Sequence, residues 1–68
     1  MISYEPFWKS IENKNITVYE LIRYYRISGN TIQKLRDNEN LTLKTVERLC
    51  KILGCNIEEV VEIKNEQI

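Results

Sequence analysis

Sixty-eight residues bury too little surface for two cores, so one domain is expected over residues 1–68, with its core at about residues 4–63. Ten Lys and Arg balance ten Asp and Glu, 43% of the chain is hydrophobic, and two glycines with one proline leave little material for tight β-turns, which favours an all-α fold. The absence of histidine removes Ser-His and Cys-His nucleophilic pairs, and no Gly-rich phosphate loop, long apolar run or signal-peptide pattern is present, which points to a soluble, cytoplasmic, non-enzymatic protein with no membrane partner.

In chain order, Phe7, Trp8 and Ile11 recur at helical spacing after Pro6, a residue suited to a first helical turn, and predict helix one over Pro6–Asn13. Thr17 followed three residues later by Glu20 is a capping-box pattern and opens helix two, "VYELIRYYR", expected to bury Leu21, Val18 and Tyr25. Ser28 then caps "GNTIQKLRDN", helix three, after a short turn, so the two helices form a helix-turn-helix. Thr42 opens helix four, where Val46, Leu49, Cys50 and Leu53 share one face and Gly54 marks the stop. Asn56 with Glu59 repeats the capping-box pattern before "EEVVEI", which predicts a short helix five closing the core with Ile57, Val60 and Val61. The cysteines in "CKILGC" do not have zinc-site spacing; Cys50 and Cys55 read as reduced thiols, Cys50 in the core, with a redox switch the weaker alternative.

Helix three carries the chemistry. At 3.6 residues per turn, Ile32 and Leu35 share the inward face, Asn30, Gln33, Lys34 and Asp37 lie opposite, and Thr31 and Arg36 flank them. Amide side chains bond adenine N6 and N7 in pairs and lysine reaches guanine O6 and N7, so this face suits the DNA major groove, and Gly29 allows the helix start to approach closely. Such a polar face is also what any solvated helix shows. The charge distribution tilts the balance: residues 14–36 hold Lys14, Arg23, Arg26, Lys34 and Arg36 against Glu20 alone, a net +4, while residues 37–68 carry −3 and residues 1–13 carry −1. One face therefore attracts phosphate while the rest of the domain repels it.

The segments "YEPFWKSIENKNITVYELI", "ISGNTIQKLR" and "TLKTVERLCKILGCNIEEVVE" resemble the Cro/C1-type helix-turn-helix domain, also called lambda-repressor-like or XRE, of small bacterial and phage regulators. The resemblance implies a five-helix bundle that binds operator DNA, usually as a homodimer, with helix three in the major groove; the missing histidine, the cysteine spacing and the lack of a second module leave no cofactor, metal or small-molecule ligand to expect. It implies base reading by Gly29, Asn30, Gln33 and Lys34, and backbone contacts from Thr17, Ser28, Thr31, Asn40, Thr42 and Lys44, positions whose helix-start N–H groups suit anions. Arg23 and Arg36 are alternatively paired with acids inside the fold.

Two departures stand out. Val18 occupies the place where the family often has a phosphate-binding Gln, and Arg26 the turn position where it usually has Gly, at which a left-handed conformation costs an L-residue on the order of 1 kcal/mol. Either the turn differs, or Arg26 tolerates the strain and reaches the DNA backbone. The leading expectation is a sequence-specific DNA-binding repressor that dimerises, with Val60, Val61, Ile63 and Ile68 of helix five and the tail as candidates for the dimer surface, although Val60 and Val61 suit the domain's own core at least as well. The alternative is a protein-interaction module, such as an antitoxin or phage-encoded inhibitor, on the same fold.

Overall fold

Local cap chemistry explains where most of the helices begin. In a computed structural model, which describes residues 1–65, four α-helices run over Glu5–Asn13 (α1), Val18–Arg23 (α2), Gly29–Arg36 (α3) and Leu43–Leu53 (α4). The hydroxyl oxygens of Thr17, Ser28 and Thr42 accept hydrogen bonds from the N–H groups of Glu20, Thr31 and Thr45 at 3.1, 3.0 and 3.1 Å, satisfying donors that a helix start otherwise leaves unpaired. The box at α2 is closed by Thr17 N–H donating to Glu20 Oε1 at 3.0 Å. Helix α1 starts one residue earlier than the sequence predicts, on Glu5, with Ser3 Oγ accepting from the Glu5 N–H at 3.2 Å. At the other end of the series, Gly54 adopts φ +64 and closes α4 through its N–H to the Cys50 carbonyl.

The fifth α-helix does not form. A single 3-10 turn over Ile57–Glu59 is followed by a short strand, Glu62–Ile63 (β2), which pairs antiparallel with Ile2–Ser3 (β1) in the register Ile2 with Ile63 and Ser3 with Glu62. Two backbone bonds, Lys64 N–H to the Met1 carbonyl at 2.8 Å and the Met1 ammonium to the Lys64 carbonyl at 2.9 Å, extend the ribbon. The β-branched run Val60, Val61 and Ile63 favours extended backbone over helix, and the chain start supplies the partner strand. Val60 is consequently fully buried and unavailable to a second subunit, Val61 is half-buried, Ile63 is exposed, and Ile68 lies outside the described residues.

The core joins Tyr4, Phe7 and Ile11 at the start of the chain, Leu21 of α2, Ile27 of the turn, Ile32 and Leu35 of α3, Val46, Leu49 and Leu53 of α4, and Val60. Tyr25, expected inside, is exposed, and Ile27 takes the buried place after α2; Val18 and Cys50 are only partly covered, at the core's margin. The chain reverses after Arg26, so inward positions beyond it no longer follow the helical period. Burial first, then the neighbouring Cys50 and Glu59, pushes the Cys55 thiol above its ordinary pKa, which disfavours the reactive thiolate.

In the turn between α2 and α3, Arg26 takes the conformation that the family's glycine would hold. Its φ is +59, the left-handed conformation that glycine adopts without cost, and the Ile27 N–H reaches back to the Leu21 carbonyl at 3.0 Å. A clamp from α4 holds this strained turn: Arg48 Nη2 donates to the Tyr25 carbonyl at 2.6 Å and, more weakly, to the Arg26 carbonyl at 3.5 Å. A cation at the end of α2 also complements the helix dipole. Replacing Arg48 by alanine is expected to cost about 1 kcal/mol, since the bonds are charge-assisted but open to solvent. That corresponds to a melting temperature lower by about 4–8 °C in a domain of this size. An unchanged thermal melt would show that the turn holds without the clamp.

Candidate nucleic-acid interface

Helix α3 owes its seating to Ile32 and Leu35, both buried, which leave the opposite side of the helix to solvent. At its start Gly29 and Asn30 are exposed, one turn later Gln33 is exposed, and Lys34 is half-buried on the flank. Three of the four expected reading residues therefore share one open face, while Lys34 is partly covered, as lysines often are when their aliphatic stems lie along apolar surface. Thr31 is half-covered, and its hydroxyl accepts from Ser28 Oγ at 3.0 Å, so both side chains are engaged in closing the helix start.

Gly29 is not needed by the fold. Among the described residues a methyl group built on it meets nothing within 4 Å and its φ is not in the left-handed region, so neither space nor backbone conformation requires glycine there. Gly29→Ala is expected to leave the fold as stable or more stable, by up to about 1 kcal/mol, because alanine loses less conformational entropy on folding. The same methyl is expected to weaken binding of duplex DNA by about tenfold or more if the backbone lies against the groove, about 1.4 kcal/mol. Parallel melts and DNA titrations check this; wild-type affinity would place Gly29 away from the DNA surface.

The other expected contacts cluster at helix starts. Thr17, Ser28 and Thr42 are exposed cap residues whose hydroxyls are occupied within the chain, so what they offer an anion is mainly the N-terminal N–H groups and dipole of the helix that each begins. Asn40 and Lys44 flank the Thr42 cap on exposed backbone, and Lys44 shares a shallow depression with Thr45, Glu47, Arg48 and Lys51. Neither Arg23 nor Arg36 makes an ion pair among the described residues: Arg36 packs over the Trp8 ring at 5.8 Å, and the ion pair present is Lys9 with Glu5 at 3.9 Å.

Two supporting residues escaped the sequence reading. Tyr4 is buried, its N–H donates to Asn38 Oδ1 at 2.9 Å and its hydroxyl to the Glu39 carbonyl at 2.7 Å, which ties the loop after α3 to the start of the chain and sets the approach to Asn40 and Thr42. Burial pushes the Tyr4 phenol above its ordinary pKa, so it stays a donor. Asn38 has φ +54, and an asparagine just past a helix end is the local signal that could have marked it. Trp8 adds an Nε1–H bond to the Leu35 carbonyl at 3.4 Å, bracing α3 from α1.

Among the described residues no group of three His, Cys, Asp or Glu is placed to hold a metal ion, and no helix is long and apolar enough to cross a membrane. The family model described as the Cro/C1-type HTH DNA-binding domain matches residues 7–66. No curated protein matches the chain. Among solved structures, the chain is similar to the crystal structure of the transcriptional regulator VanUg, form II, with 29% sequence identity and a TM-score of 0.85, over 96% of this chain and 87% of that one.

Proposed function

The chain belongs to the Cro/C1-type helix-turn-helix DNA-binding domain family, and we propose that it is a transcriptional regulator, acting in the cytoplasm, that represses by binding a palindromic operator as a homodimer with α3 in the major groove. The observation that carries this reading is the open polar face of Gly29, Asn30 and Gln33 at the start of α3, within the stretch of residues 14–36 that has a net charge of +4. Asn30, Gln33 and Lys34 read base edges, Gly29 admits the backbone, and Thr17, Ser28, Thr31, Asn40, Thr42 and Lys44 position the domain on phosphates. The similar VanUg structure, described as that of a transcriptional regulator, supports the regulatory role. Two-fold symmetry would set the recognition helices about 34 Å apart, one turn of DNA.

The test is selection of duplexes from a randomised pool, followed by titration of the winning sequence against scrambled DNA across a salt series. An enriched inverted repeat whose affinity falls steeply as salt rises is expected. A single half-site bound by one chain would overturn the homodimer, and no enrichment would overturn sequence-specific reading.

One observation favours a second reading, a protein-interaction module. Tyr19 and Tyr24 are 65% and 68% exposed and line, with Ile22, Arg23 and Arg26, a depression on the side of α2 away from buried Leu21. Tyrosine and arginine are the residues that dominate protein interfaces. Tyr19→Ala with Tyr24→Ala separates the readings, because it leaves operator selection intact in a DNA reader.

A further inference from the structure

Asp37 sits where helix energetics give it no reason to be. It closes α3 at the C-terminal end, where a carboxylate opposes the helix dipole by a few tenths of a kcal/mol, and it carries the charge that phosphate repels. Among the described residues its side chain is engaged by Gln33, whose Nε2 donates to Asp37 Oδ2 at 3.0 Å from one helical turn back. Such an i,i+4 pair contributes about 0.2–0.5 kcal/mol, so it does no more than offset the dipole term. Stability does not account for the pairing.

Its chemical consequence is orientation. A free glutamine amide turns over easily and offers either its oxygen or its nitrogen to a base. An ionised carboxylate accepts hydrogen bonds only, so it holds the Nε2 side of Gln33 and repels Oε1. The amide is left with Oε1 as a directed acceptor and one unused N–H as donor. Adenine alone presents the complementary pair in the major groove, its N6 amino donor beside the N7 acceptor. Guanine shows two acceptors, O6 and N7, thymine an acceptor and a methyl, and cytosine a lone donor.

We propose that Asp37 is a specificity-determining positioning residue, which orients the Gln33 amide so that Gln33 reads adenine. This rests on the assignment of Gln33 as a base reader and extends it. The carboxylate touches no base; it sets the direction of the group that does, at the cost of phosphate attraction.

The experiment measures relative binding of all four bases at every operator position, with the full chain, for wild type, Gln33→Ala, Asp37→Ala and Asp37→Asn, each verified by thermal melt. Gln33→Ala identifies the position read, as the one where preference flattens. Wild type is expected to prefer adenine there by roughly tenfold, within the range of a bidentate amide–adenine pair. Asp37→Ala is expected to bring that preference to within about twofold of parity while raising affinity for scrambled DNA, since an acid is removed. Asp37→Asn keeps one acceptor but adds a donor that tolerates the flipped amide, so its adenine preference should fall between the other two. Full adenine preference in Asp37→Ala, with flattening in Gln33→Ala, would overturn the proposal and leave the reading by Gln33 standing. If Gln33→Ala flattens no position, both the proposal and the underlying assignment fall.

Discussion

Replacing Asn30 and Gln33 together by alanine is expected to cut the preference for the selected operator over scrambled DNA by about 30-fold or more, taking each amide at the lower end of the 1–3 kcal/mol that a bidentate base contact supplies. The reasoning depends on what the two side chains do not do. Both are exposed, and among the described residues Asn30 makes no side-chain hydrogen bond and Gln33 bonds only exposed Asp37, so the core is untouched and alanine is the better helix former at both positions. Neither carries charge, so affinity for scrambled DNA and the slope of affinity against salt should stay at their wild-type values. Competition titrations at fixed salt read the first quantity and a salt series the second. Retained discrimination in the double variant would remove these residues from the reading set, and a parallel loss of scrambled-DNA binding would mean that they position the domain instead.

Leu35→Ala should abolish operator binding through the opposite route. Leu35 is fully buried beneath α3, and its carbonyl receives the Trp8 indole. Truncating such a leucine costs about 2–5 kcal/mol through lost transfer energy and the cavity left behind. A single core in a chain of this size supplies only roughly 3–5 kcal/mol in total, so most molecules would be unfolded or close to it. The expected result is a melting temperature lower by on the order of 10 °C or more, or no cooperative transition, with specific and non-specific DNA binding lost together. That joint loss distinguishes it from the amide variants. A melt within about 3 °C of wild type would mean that the neighbourhood collapses around the gap and that the seat of α3 is more plastic than its burial implies.

Much of the local structure is legible in the chain itself, because the interactions that decide it span three or four residues. Thr17 with Glu20, Ser28 with Thr31 and Thr42 with Thr45 are helix starts that depend on one hydroxyl and one nearby N–H, and they form where the sequence puts them. The same holds for Gly54, and for the alternation of Ile32 and Leu35 with Asn30 and Gln33 that sorts α3 into an inner and an outer face. The exposed face of α3 that carries the proposed base-reading residues was therefore readable, and so was the positive stretch of residues 14–36.

What the tertiary structure decided are the outcomes that couple distant residues. The segment after Asn56 has helical caps and strand-forming side chains in nearly equal measure, and the choice falls to a strand because Ile2 and Ser3, some sixty residues earlier, complete a ribbon with it. Arg26 occupies a glycine conformation whose cost is of order 1 kcal/mol, and the turn is held by Arg48 reaching over from another helix, a partner that no local pattern announces. Tyr25, expected inside, is exposed and Ile27 is buried, because the chain reverses between them. The loop that presents Asn40 is anchored by Tyr4, through hydrogen bonds spanning more than thirty residues. Local preferences of this kind are worth about 1 kcal/mol or less, the size of one net hydrogen bond, so a long-range hydrogen bond or a buried side chain is enough to override them.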